Sequence, residues 1–186
     1  MEQFFYYRSL SNRPVIWRDG KKVKSFPSNL TKDDYLRHMK LGKGFPSIWK
    51  SSSDEDLERI ALGTMLCRGH LDKLELIGFD PCCFEQTKIR VVQATDPQFP
   101  LPLVANLHHE LCVGDSDDND LIGSIEIFLQ CNGDIKRFPK LPTTGLELSI
   151  LDLANKYIEE ISGDNHLKTA HKWIEDHEKK LKSQQK

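Results

Sequence analysis

No apolar run in this chain of 186 residues approaches the roughly 20 residues needed to cross a bilayer. The N-terminus, MEQFFYYRSL, lacks a basic start, a long apolar stretch and a small-residue cleavage site. It therefore reads as mature structure and not as a signal peptide. Cysteine is scarce and poorly arranged for disulfides. There are five, an odd number, and Cys82 and Cys83 are adjacent. That argues against an extracellular disulfide framework and for a reducing, cytoplasmic setting. The motifs that announce chemistry are missing too: no glycine-rich phosphate loop, no G-x-S-x-G and no H-E-x-x-H. Internal repeats are absent as well. No cofactor is expected.

What is there is ordinary globular composition, with 38% hydrophobic and 29% charged residues. Net charge is only −2, but it is unevenly spread. Residues 1–50 carry eleven Lys/Arg against four Asp/Glu, residues 51–150 carry eight against seventeen, and residues 151–186 carry seven of each. A basic first quarter beside an acidic middle suggests an acidic partner for the N-terminal part, or contact between copies. Charges facing each other within one monomer would give the same pattern.

Local patterns predict an α+β fold in a single domain over residues 1–186. The N-terminal subregion, about 1–46, reads as a basic hairpin, because PVIWRDGKKVKSF places two β-prone runs around Asp19-Gly20. FFYYRSL could supply a third strand. A short helix is expected after Thr31, stopped by Gly42 and Gly44. A second follows the serine run at 51–53, with Leu57, Ile60, Ala61 and Met65 as its apolar stripe and Gly69 as its stop. LDKLELIGF, TKIRVVQAT, LPLVANLHHELCV and LIGSIEIFLQC then read as an antiparallel meander. Leu103, Ala105, Leu107, Leu111 and Val113 would share one face of the third. NGDIKRFPKLPTT reads as loop. Two C-terminal helices close the chain. The first is capped by Thr143 or Thr144 and buried against the sheet; the second has the stripe Leu167, Ala170, Ile174 and Leu181. The tail at about 182–186 should fray. The expected architecture is thus an antiparallel sheet of about four to six strands, packed by two C-terminal and two short N-terminal helices.

Four candidate sites follow. In GDSDDNDLIGSIE, Asp115, Asp117, Asn119 and Glu126 fall at positions 1, 3, 5 and 12 of a calcium-loop pattern. Asp120 stands where that loop needs glycine, and the flanks alternate with period two where the motif has helices. The cluster is therefore read as a solvated turn whose aspartates bond their own backbone, and no metal is expected. Cys67-x-x-His70 and His109-x-x-Cys112 have the internal spacing of zinc ligands. Residues three apart on a strand, however, point to opposite faces. A pairing of Cys82 or Cys83 with His108 or His109, or of His108 with Asp117, is the only enzyme-like arrangement. The fourth candidate is the cationic group Arg18, Lys21, Lys22 and Lys24 at the tip of the hairpin, interleaved with Phe4, Phe5, Tyr6, Tyr7, Trp17 and Phe26. Cations beside aromatics hold phosphates and stack bases, or sit at an anionic membrane surface. Here the rings are expected to enter the core.

The functional expectation is a non-enzymatic intracellular interaction or structural protein that self-associates or bridges partners. Its basic N-terminal surface would meet an acidic protein, a nucleic acid or an anionic membrane. A viral matrix-like or accessory protein, or an inhibitor or immunity-type protein, would satisfy this description. The alternative is a small enzyme with a Cys/His or His/Asp site around the meander.

Overall fold

Strong local signals become structure where they were expected. The computed structural model describes residues 4–9, 47–69, 71, 74–85, 87, 89–94, 102–113, 134–138 and 149–184. Strand β1 is Phe5–Ser9, β2 is Ser47–Ser51, β3 is Leu74–Phe79, β4 is Ile89–Gln93, β5 is His108–Val113 and β6 is Asp134–Phe138. They form one six-stranded sheet in the order β4-β5-β2-β1-β3-β6. The registers of β1 with β2, β1 with β3, β2 with β5 and β4 with β5 are all antiparallel. Together with the helices below, this is an α+β protein. The described residues fall into two compact units, one drawn from 1–52, 76–95 and 108–136 and the other from 53–75, 96–107 and 137–186.

The first unit holds most of the sheet. Here the strand order corrects the meander: β1 lies between β2 and β3, and is not an outlying third strand of an N-terminal hairpin. Strand β2 had not been anticipated. Its adjacent Ile48 and Trp49 are both buried, on opposite faces, so the segment shows no polar alternation to read. Strand β6 falls in a stretch read as loop. It is the terminal strand of the order. Gly78 on β3 faces Tyr7 on β1. A Cβ at Gly78 would stand 2.7 Å from Tyr7 Cε1, so the aromatic ring lies over the glycine backbone. Helix α2, Cys82–Glu85, brings buried Phe84 against Phe79 and Tyr6, with ring centroids 6.5 and 5.3 Å apart.

The second unit is helical. Helix α1, Asp54–Arg68, begins as its sequence dictates. The Ser53 hydroxyl accepts from Asp56 N–H at 3.1 Å, and three acidic residues occupy the first turn. It ends at Gly69, whose φ of 71° closes the last turn onto the Met65 and Leu66 carbonyls. The expected one-sided stripe is too narrow, because every residue from Ile60 to Leu66 is buried. A helix apolar all round is one surrounded by protein, and α1 touches all three helices that follow in this unit. One of these, α3, is Pro102–Ala105, in a segment predicted as strand. Leu103 and Val104 are adjacent and both buried, which a helical turn permits and a one-faced strand does not. Pro102 suits the first helical position because it has no N–H to leave unpaired. Val104 packs on Gly63 of α1.

Helix α4, Ile150–Lys156, starts later than predicted. Its cap is Ser149, not Thr143 or Thr144. Ser149 Oγ accepts from Asp152 N–H at 3.1 Å, and Asp152 Oδ2 accepts from Ser149 N–H at 3.3 Å, a complete capping box. The helix also stops early, at Tyr157, and a 3-10 turn over Ile158–Glu160 follows. Helix α5, Asp164–Gln184, runs 21 residues into the stretch expected to fray. Its buried residues are Ala170 and Trp173, so the inward edge lies one position round from the predicted stripe; Leu181 is 47% exposed. Among the described residues, no helix is long and apolar enough to cross a membrane.

Candidate functional site

The cationic group Arg18, Lys21, Lys22 and Lys24 lies outside the described residues, as do Asp115, Asp117, Asn119 and Glu126 of the acidic turn. The predicted hairpin and the fourth strand of the meander lie outside them too.

The aromatic N-terminus is described, and β-strand alternation divides it. Tyr7 turns to one face of the sheet and is buried. Phe4 and Tyr6 turn to the other and stay half-buried. Of the rings expected in the core, Tyr7 is buried, Phe4, Phe5 and Tyr6 are half-buried, and Trp17 and Phe26 lie outside the described residues. Around Tyr6 the pairing assembles a cluster from four elements. Phe4 meets it edge to face at 5.4 Å, Phe84 of α2 at 5.3 Å and His109 of β5 at 5.9 Å. Lys50 of β2, the register partner of Tyr6, holds its ammonium 4.3 Å from the centroid of the Phe4 ring, within cation–π range. Burial pushes the Tyr6 phenol above its ordinary range, so it is a neutral hydrogen-bond donor at physiological pH.

His108, the neighbour of His109, points the opposite way. It is buried, pairs in register with Trp49 and lies 4.8 Å from the indole ring. Burial lowers its pKa, with nearby Glu110 opposing that effect. The two adjacent histidines thus serve opposite faces and cannot work as a pair. Compared with models of known families, with curated proteins and with solved structures, the chain matches none.

The cysteine candidates sit on three different elements, Cys67 on α1, Cys82 on α2 and Cys112 on β5. Cys67, Cys82 and Cys112 are free thiols. Cys67 sits near the end of α1, where burial pushes its thiol up to about 11, well above a nucleophilic range. His109 and Cys112 lie three apart on β5 and so on opposite faces, as their spacing requires. Cys82 opens helix α2 and does not lie in a loop; its N–H donates to Asp80 Oδ1 at 3.0 Å. Hydrogen bonds from Cys82, its side chain first, hold the Asp80 carboxyl low. Among the described residues, no three His, Cys, Asp or Glu side chains cluster as metal ligands.

A second polar cluster joins α1 to the end of α4. Glu58 Oε2 accepts from the Tyr157 hydroxyl and from Lys156 Nζ, each at 2.5 Å, and Arg59 pairs with Glu160 at 3.3 Å. Both cations also lie near the Tyr157 ring, at 5.4 Å for Arg59 and 5.0 Å for Lys156. Burial, and then the Glu58 carboxylate, raise the Tyr157 pKa, which keeps the phenol protonated as a donor. Each member is engaged by another, so the cluster works as a clamp between two helices. Sequence reading passed over it because Glu58 and Tyr157 are 99 positions apart.

Proposed function

We propose that this chain is a non-enzymatic, intracellular binding protein that works through its surfaces, its basic N-terminal region meeting an acidic partner. The observation that carries the reading is the concentration of charge. Residues 10–46 hold nine Lys/Arg against three Asp/Glu. The strands that flank this segment are antiparallel neighbours, so the chain leaves β1 and re-enters β2 at the same end of the sheet. Nine cations in a segment tethered through both its termini to one end of the sheet raise the local potential there, and so favour a polyanion over a neutral surface. Arg18, Lys21, Lys22 and Lys24 remain the cations assigned to the contact. Self-association through the acidic middle of the chain would use the same complementarity.

The test is a pull-down of the full chain from its native cells at low and moderate salt, beside the K21E/K22E/K24E variant with folding checked by circular dichroism. Partners of the wild type should be acidic, should be lost at moderate salt and should be lost from the folded variant. Retention of every partner at wild-type strength by that variant would refute the reading.

A further inference from the structure

Phe4, the residue before β1, and Tyr6 stand two apart and turn to one face of the sheet. On that face Ile48, Phe79 and Leu111 are buried, and Phe4, Tyr6, Lys50 and His109 form a partly exposed rim. The two rings are half-exposed, a lysine ammonium lies 4.3 Å from one ring, and a histidine ring 5.9 Å from the other. These rim rings are less covered than Tyr7, which is 6% exposed one position along. A solvated face would use short polar residues. Partly exposed rings with a lysine ammonium beside them on the adjacent strand match the two-part chemistry of an unpaired nucleotide, a flat π-face joined to a phosphate. An acidic peptide or a lipid headgroup supplies the charge without the flat faces, and a duplex keeps its bases stacked inside.

We infer that the face formed by Phe4, Tyr6, Lys50 and His109 binds single-stranded nucleic acid, with bases stacking on the two rings and a phosphate meeting Lys50. The inference rests on the reading above, that the basic N-terminal region meets a polyanion, and names the polyanion. The protonated phenol of Tyr6 adds a hydrogen-bond donor at the edge of the stack.

The experiment uses the full chain and fluorescence anisotropy with a labelled 12-nucleotide oligo(U), set against a 12-base-pair duplex, heparin and anionic vesicles. Oligo(U) should bind more tightly than the duplex, with affinity falling steeply as salt rises. Phe4→Leu and Tyr6→Leu keep apolar bulk and remove the stacking face. Each should weaken oligo(U) by about fivefold or more, from the measured worth of base–aromatic stacking, and leave heparin binding unchanged. Ultraviolet crosslinking of oligo(U) to the wild type should label the tryptic peptide 1–8, a readout that stands even where a leucine variant fails to fold. Crosslinks that fall only elsewhere, folded leucine variants that bind oligo(U) at wild-type strength, or equal affinity for duplex and single strand would each overturn the inference. If oligo(U) fails while heparin, vesicles or an acidic protein bind in a lysine-dependent way, the nucleic-acid assignment falls and the broader binding reading stands. If K21E/K22E/K24E also leaves all of these unchanged, both fall.

Discussion

Gly78→Ala should destabilise the protein, although alanine is the better strand residue, and the size of the loss follows from Tyr7. The added Cβ would lie 2.7 Å from Tyr7 Cε1, 3.2 Å from Cζ and 3.3 Å from Cδ1. Carbon atoms pack at about 3.5–4.0 Å, so the ring would have to withdraw by roughly 0.8 Å or more. Tyr7 is only 6% exposed and has little room to do so. Overpacking of this kind costs about 1–3 kcal/mol, against roughly 0.5–1 kcal/mol gained by removing a strand glycine. The net loss should be about 1–2 kcal/mol, a fall in melting temperature of about 3–6 °C for a chain of this size. Urea unfolding followed by tryptophan fluorescence measures it. The reasoning also demands coupling. In a Tyr7→Val background the clash is gone, and Gly78→Ala should become neutral or slightly stabilising. An interaction energy of about 1 kcal/mol or more should therefore separate the double variant from the sum of the singles. A wild-type-like Gly78→Ala protein, or simple additivity of the two changes, would refute the account of Tyr7 and Gly78.

Ser149→Ala should cost about 1–2 kcal/mol, because it removes a buried cap and leaves the Asp152 N–H unpaired; a loss below a few tenths in the same urea assay would show that the capping box contributes little. His108 gives a pH dependence with a definite sign. Its folded pKa is lowered by burial, so the unfolded chain takes up a proton near pH 6.5 before the folded protein does. Stability should be fully present above about pH 6.5 and fall as pH drops below it, by at most about 1.4 kcal/mol per pH unit for one proton. His108→Gln should flatten that slope in unfolding measurements between pH 7.5 and 5. An unchanged slope would mean that His108 is not the group responsible.

Two kinds of information were legible in the sequence: signals complete within a few residues, and signals of composition. The start and stop of α1 belong to the first kind, since Ser53 bonds an N–H three positions on and Gly69 folds back on the turn before it. Strands β1, β3 and β4 came from runs of β-branched and aromatic residues, and the α+β class follows from such elements taken together. The basic first quarter and its aromatics were visible in composition. Tertiary structure alone decided what those pieces meet. Strand β2 exists because the sheet buries it on both faces, and β1 is central because β2 and β3, some 40 and 70 positions away, both choose it as partner. The Pro102–Ala105 turn overrode an apparent alternation once Val104 had Gly63 to pack on. Phe4, Tyr6 and Tyr7 look alike in sequence. Only pairing with β2 and β3 buries Tyr7, leaves Phe4 and Tyr6 half-buried and sets Lys50 over the Phe4 ring, because what covers a strand residue is fixed by distant neighbours and never by the strand itself.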